Sequence, residues 1–401
     1  MTYVQKLQKR TKAKLRRYRK EYVTTGYFDY QLLFLIIFLV GFGLVMLYSV
    51  STYEAESVFG NAAYYARHQA IVAAAGFVVM MFIALVVPLW FWKLLAVPIY
   101  WISVFLCVLV LIPGFGSDAN GSSRWLEVGP ISFQPSEIAK VAVILFLALT
   151  LSQIPRSISK LSSVIKILVR LAPLILVIAY NNLSTAIIIA GIAVLMMFVS
   201  SKKYSHYFGL AALVVLAGVV FIITQAYRSE RILAWLSPED YPDTAYQTLQ
   251  GLYAIGSGGL FGKGLGSSLQ KLDYVPEAQN DFIFTIICEE LGIFGGICVI
   301  LLFLLLIWRF MVIILNASDL FGSFLVTGVM IHISLQVVLN LAVVTNSIPN
   351  TGITLPFISY GGSSLLILMA EMGLVLAVSR QIRVDESTAL KKRKRSRRVV
   401  K

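Results

Sequence analysis

The chain has 401 residues, 58% of them apolar and only 13% charged, with a mean hydropathy of +0.81 and a formal net charge of +14. A soluble surface for a chain of this length needs far more charge, so a water-soluble globular protein is excluded. Apolar runs of about 20 residues recur, the length that spans hydrocarbon as a helix, and the short alternating strands of an outer-membrane barrel are absent.

Residues 1–29 read as a basic tail, with nine Lys and Arg in residues 1–20. No cleavable signal peptide is expected, because the first apolar run begins near Tyr30 and is too long. Spans are predicted near 30–50, 66–87, 90–112, 138–152, 164–180, 184–200, 206–225, 282–308, 320–343 and 363–380. The reading is an all-α polytopic membrane protein of about ten transmembrane helices, with one membrane domain over 30–380 and a second basic tail over 381–401. The fourth span and several others look short, which predicts tilt or partial burial.

Ten spans put both tails on one side. Nineteen of the 34 Lys and Arg lie in the tails, eight more on segments of the same side and seven on the other, so both termini are expected to be cytoplasmic. Basic tails beside a membrane point to anionic lipid; without an aromatic-rich basic fold they do not point to nucleic acid. Cys107, Cys288 and Cys298 fall in apolar runs and read as small core residues.

The outer side then holds 113–137, 226–281 and 345–362. The long extracellular loop 226–281, between helices 7 and 8, is the segment expected to carry function. It leads into YVPEAQNDFIFTIICEELGIFGG over 274–296. Asp281 stands at the mouth of the eighth span, with Glu289 and Glu290 about two turns further in. Asp281 has two readings: a helix N-terminal residue favoured by the dipole, or a general base tuned by burial and nearby cations. At their depth Glu289 and Glu290 need partners, with Lys140 or a helix N-terminus as candidates.

The run GSGGLFGKGLGSS fails the Walker pattern, since Gly264 follows Lys263, and it lacks the βαβ context of a dinucleotide site. It reads as a flexible loop with exposed amides and one cation, able to hold a pyrophosphate, or as a plain turn. In GSSRWLEVGPISFQPSEIAK, Arg124 can face a diphosphate, Trp125 fits an interfacial belt, and Glu137 and Lys140 at i, i+3 can pair. The stretch IPNTGITLPFISYGGSS, with Ser359 and Ser363, cannot face lipid and must fold into protein or line a wet cavity. His68, His206 and His332 are scattered without metal-ligand spacing.

These motifs resemble the SEDS family, the group that includes FtsW, RodA and SpoVE. The likeness is carried in order by RWLEVGPISFQPSEIAK, YRSERILAW, GSGGLFGKGLGSSLQKLDYVPEAQNDFIFTIICEELGIFGG and PNTGITLPFISYGGSS, from Tyr30 to Arg380 overall. The resemblance implies a peptidoglycan glycosyltransferase in the bacterial cytoplasmic membrane. It would polymerise lipid II at the outer face, releasing undecaprenyl pyrophosphate, for cell division or cell shape. It also implies that Asp281, in the DFIF motif, is essential, and that Trp125 is the tryptophan of the RW motif. The implied partner is a class B penicillin-binding protein, among divisome or elongasome membrane proteins.

Joined to the reading of the residues, this makes Asp281 the base for the attacking 4-hydroxyl. Arg124, Lys263, Lys140 and Arg231 would neutralise the leaving pyrophosphate. Trp125, Glu137, Glu290, Ser359 and Ser363 complete the candidate substrate-binding set. No resident metal is expected, although Mg²⁺ or Mn²⁺ could assist. The alternative is a lipid II flippase, which polar intramembrane Gln336, Asn340 and Glu371 would suit, but no internal repeat supports it. One departure stands out. The family often has Pro-Asp-x-Gly-Thr-Ala at the sixth span, and this chain has Asn181-Asn182-Leu183-Ser184-Thr185-Ala186. Any role needing charge at position 182 is thereby put in question.

Overall fold

Hydrocarbon offers backbone amides and carbonyls no partner but one another, so each long apolar run closes on itself as a helix. The computed structural model describes residues 25–384 apart from 113–115, 120–121, 129–130, 155–159, 211, 213–215 and 217–225. Among the described residues nine helices are long and apolar enough to cross a membrane. They are α1 (Tyr30–Phe59), α2 (Tyr64–Leu85), α3 (Leu89–Leu109), α4 (Pro135–Gln153), α5 (Leu161–Asn181), α6 (Leu183–Ser200), α9 (Ile283–Asn316), α10 (Leu320–Val344) and α11 (Gly362–Ser379). Most of both basic tails, and most of the predicted span 206–225, lie outside the described residues.

Two shorter helices, α7 (Ala226–Leu236) and α8 (Pro242–Ser257), stand where the sequence suggested only a broken loop. The segment 116–133 is a second addition to the all-helical reading. It forms a three-stranded antiparallel sheet of β2 (Gly116–Ala119), β3 (Ser122–Val128) and β4 (Ile131–Phe133) in that order. A polar connection with its own ladder satisfies its backbone at the bundle mouth.

The chain's described ends meet. Strand β1 (Thr25–Gly26) pairs antiparallel with β5 (Arg383–Val384), and Tyr27 N donates to Ile382 O at 3.2 Å. Just inside, the fully buried Asp29 caps α1 through Leu32 N at 2.9 Å and receives the guanidinium of Arg309 from α9. Both ends therefore lie at one face. Lys93, at the head of α3, pairs with Asp319 before α10 at 2.6 Å on that same face. The opposite face gathers the sheet, α7, α8 and the segments 258–282 and 345–361.

The fourth span, expected from its short length to be tilted or partly buried, is the buried hub. Pro135 begins α4 at a position where a missing N–H costs nothing, and thirteen of its 19 residues are buried. It packs against α3, α6 and α10; α2 packs on α11, and α9 lies against α10 and α1. Large side chains such as Phe34, Trp90, Trp101, Phe105 and Trp308 point outward on the helix flanks, where lipid is their solvent.

Candidate functional site

The face opposite the termini is organised by 345–361, which joins α10 to α11. Asn340, wholly buried near the end of α10, donates from Nδ2 to Asp281 O at 2.7 Å and to Ile353 O at 2.8 Å. Tyr360 N donates to Gln279 O at 2.9 Å, and Ser184 Oγ at the start of α6 donates to Thr351 O at 2.7 Å. Gln69 of α2 donates to Ser359 O and accepts from Gly361 N. From the loop helix α7, Arg231 donates to Asn350 O at 3.2 Å and Trp235 to Asn346 O at 2.9 Å. This connector thus ties α2, α6, α7 and α10 around Asp281, as expected for irregular backbone that cannot face lipid.

Asp281 lies one residue before the helix cap. Phe282 occupies the cap position of α9 and no side chain caps the helix, so Asp281 stands at the helix N-terminus without a capping hydrogen bond to its first turn. The Asp281 side chain is only 8% exposed. Burial is the main force raising its carboxyl from 3.8 to about 7, with Glu277 pushing the same way and Arg231 and its own backbone amide opposing. A carboxylate poised there can take a proton at neutral pH. Arg231 also lines a cavity of about 220 Å³ together with Trp235, Gln247, Asn346 and Asn350; Asp281 is not among its lining residues.

Two turns along α9, Glu289 is fully buried and bonded on every side. It receives Lys263 Nζ at 2.7 Å, the Ser268 hydroxyl and the amides of Leu269 and Gln270. The glycine loop that sequence suggested as an open phosphate cradle is spent on the helix itself. At Gly292 the backbone leaves the helix (φ 73, ψ −176). Lys263 N and Gly264 N donate to the carbonyls of Glu289 and Glu290, while Ile293 N and Phe294 N donate to Gly259 O and Leu260 O. A Cβ on Gly292 would overlap Leu260 O and Gly262 N, so only glycine permits this insertion. The amides of Gly262, Lys263 and Gly264 and the Lys263 ammonium are therefore engaged within the protein.

Glu290 faces the other way, toward α1. It accepts from Ser49 Oγ at 2.7 Å and pairs with Lys271 at 3.0 Å. This pair borders an apolar groove of about 680 Å³ lined by Val45, Tyr48, Ser49, Tyr53, Leu265 and Leu272. Neither Glu289 nor Glu290 uses Lys140. That lysine, 1% exposed, pairs with Glu137 at 2.9 Å across one turn of α4, as the i, i+3 spacing suggested.

The other candidates fall around this frame. Arg124 donates from Nε to Asn181 O at 3.1 Å, tying β3 to the end of α5. Trp125 is half-buried on the same strand, in register with Ser117. The Ser359 hydroxyl accepts from Leu355 N at 2.8 Å, inside the connector, and Ser363 sits half-buried in the first turn of α11. Asn182, the residue that departs from the resembled pattern, caps α6 by accepting from Thr185 N at 3.0 Å. Asn and Asp cap about equally well, so the amide keeps that contact without a charge. Sequence reasoning missed Asn340 as the clamp on Asp281, and Lys271 and Ser49 as the partners of Glu290. Polar residues inside apolar spans were the available signal.

Fold and site together define a multi-pass membrane protein whose polar machinery is gathered at one mouth of a helix bundle. A family model described as "Cell cycle protein", covering FtsW, RodA and SpoVE, matches residues 30–384. Stage V sporulation protein E of Bacillus subtilis is 42% identical over 359 residues, which is 88% of this chain and 98% of that one. The probable peptidoglycan glycosyltransferase FtsW of Geobacter sp. is 38% identical, over 89% of this chain and 98% of that one. A solved chain from a peptidoglycan synthase complex that coordinates polymerization and crosslinking superposes with a TM-score of 0.72 at 27% identity, covering 88% of this chain and 98% of its own. The chain belongs to the FtsW, RodA and SpoVE family.

Proposed function

We propose that the protein is a peptidoglycan glycosyltransferase that polymerises lipid II at the outer face of the bacterial cytoplasmic membrane. The observation that carries this is Asp281: a buried carboxyl raised to about 7, on a residue whose backbone carbonyl Asn340 holds at the mouth of the bundle. Family membership and the glycosyltransferase naming of relatives support the reaction class. In the reaction, Asp281 takes the proton of the attacking 4-hydroxyl as that oxygen bonds to the anomeric carbon of the second lipid-linked sugar. The bond from that carbon to the diphosphate breaks, and undecaprenyl pyrophosphate leaves with the electron pair.

Arg231, already held beside Asp281 through Asn350, and Arg124 at the rim supply positive charge for the leaving group. Lys140 and Lys263 act through their ion pairs, holding α4 and the broken α9 in shape. Among the described residues no cluster of three or more His, Cys, Asp or Glu gathers at metal-binding spacing. Asp281 is the residue that would hold a Mg²⁺ or Mn²⁺ ion serving the reaction, and such an ion would offset the charge on the leaving diphosphate. The face with the termini is cytoplasmic in this reading. A class B penicillin-binding protein is the partner that would cross-link the product within a division or elongation assembly, consistent with the synthase complex whose chain this one resembles.

The test is direct. Purified protein given lipid II in detergent yields glycan strands on a gel, and Asp281→Asn yields none. A flippase would leave lipid II unpolymerised in both.

A further inference from the structure

On the face opposite the termini, α7, α8 and the start of the 345–361 connector enclose the cavity of about 220 Å³ that Arg231 borders. Its walls are braced against one another. Thr244 Oγ1 on α8 donates to Glu230 on α7 at 2.8 Å, and Asn350 Nδ2 in the connector donates to Gln247 Oε1 on α8 at 2.8 Å. Gln247 Nε2 in turn donates to Pro276 O at 2.8 Å, in the segment that leads to Asp281. The Trp235 indole is fixed by its N–H on Asn346 O at 2.9 Å. The shape is therefore set before anything enters, as in most small-molecule sites.

The lining carries groups with nothing to bind inside the protein. Asn346 adopts a φ of 55°, uncommon for a residue with a Cβ, and such backbone collects at ligand sites. Its side-chain amide and the Thr248 hydroxyl line the cavity and make no hydrogen bond among the described residues. Trp235 adds a flat apolar wall.

These groups select the guest. Arg231 is the one charged residue among those lining the cavity; the other polar groups are neutral amides and hydroxyls. A diphosphate calls for converging cations. Neutral donors and acceptors beside an indole face suit a sugar, with hydroxyls on its edge and C–H bonds on its faces. Pockets for whole ligands run to about 300–1,000 Å³, so this smaller one holds a single ring. Asp281 does not line it, so that ring is not the one being deprotonated. The two places are nonetheless close along the connector: a Cβ built on Gly352, two residues past Asn350, would lie 3.8 Å from Asp281 Oδ2.

We infer that this cavity is a sugar subsite, taking one N-acetylated hexose next to a reacting ring, stacked on Trp235 and held by Thr248 and Asn346. This rests on the glycosyltransferase reading above. No bond is made or broken here; the subsite binds and orients.

Two measurements test this. The first is saturation-transfer NMR on the Asp281→Asn protein in detergent, which needs no turnover, with chitotetraose as the probe. Saturation should reach the ring protons and the acetamido methyl groups. Trp235→Phe keeps a ring face and should retain the transfer, whereas Trp235→Leu should weaken binding about tenfold. Asn346→Gly keeps the left-handed backbone and removes only the amide, so it should fold and weaken binding about fivefold. No transfer, or transfer that ignores both Trp235→Leu and Asn346→Gly, overturns the subsite even if polymerisation is confirmed. Displacement of the sugar by inorganic diphosphate assigns the cavity to the leaving group and overturns it as well. Transfer that obeys these substitutions in a protein that makes no strands supports the sugar site and overturns only the polymerase reading. The second measurement is the split of lipid II kinetics. Asn346→Gly with Asp281 intact should raise KM about fivefold, with a smaller change in kcat. An unmoved KM with a lower kcat marks a purely structural role and overturns the inference.

Discussion

The buried Asp281 should make activity and stability respond oppositely to one substitution. Its carboxyl is raised from 3.8 to about 7, chiefly by burial at 8% exposure. At about 1.4 kcal/mol per pH unit, the shift corresponds to about 4 kcal/mol. The folded state keeps the proton to higher pH than the unfolded chain does. The stability this provides is fully present below pH 3.8 and is lost as pH rises through about 7. Asparagine is neutral throughout and never loses it. Asp281→Asn should therefore unfold later than the parent at pH 8, by up to about 4 kcal/mol, and at nearly the same point at pH 4. Denaturation monitored in detergent across pH reads this directly. The same substitution removes the base, and in the parent kcat/KM should fall to about a tenth of its plateau one pH unit below the carboxyl's midpoint. A kcat/KM flat across pH 5.5 to 8.5, or an Asp281→Asn protein that polymerises normally, would refute the reasoning. So would a variant less stable than the parent at pH 8.

Three further outcomes follow from the geometry. Lys271→Met leaves Glu290 buried without its cation and should cost about 3–5 kcal/mol, while adding Glu290→Gln should recover most of it; equal melting of parent and single variant would count against the pairing. Gly292→Ala places a Cβ against Leu260 O and Gly262 N at a φ of 73. It should destabilise by more than about 2 kcal/mol in a thermal-shift assay, whereas Gly41→Ala, with nothing within 4 Å of the added carbon, should not. Asn182→Asp exchanges one good cap for another, so stability should change by less than about 0.5 kcal/mol and polymerisation should not change. A large effect on rate alone would show that position 182 senses charge.

The membrane helices were legible because hydropathy reports transfer to lipid, a property of each run by itself. Their pairings were not, because they depend on which faces meet. Lys263, with Glu289 as its partner 26 residues away, illustrates the difference. Composition showed a cation among glycines, and only the break at Gly292 shows why those glycines are there. The strands of 116–133 escaped notice since short polar segments carry no period strong enough to separate them from a loop. Asp281 was legible as a charged residue at a span's edge. Its clamp was not, because Asn340 approaches from a helix 59 residues later, whose polar stripe reads from sequence only as a set of intramembrane polar residues.

Helix α2 finds its main neighbour in α11, and Gln69 on α2 has its partners at Ser359 and Gly361, 290 and 292 residues downstream. While the ribosome is still making the middle of the chain, that glutamine sits in the bilayer without its final companions. The early hairpin must wait, with water or an insertase satisfying the amide, until the last helix arrives. A product cut short before α11 keeps an uncovered, polar-bearing face, a mark by which a membrane protease can tell an unfinished molecule from a whole one.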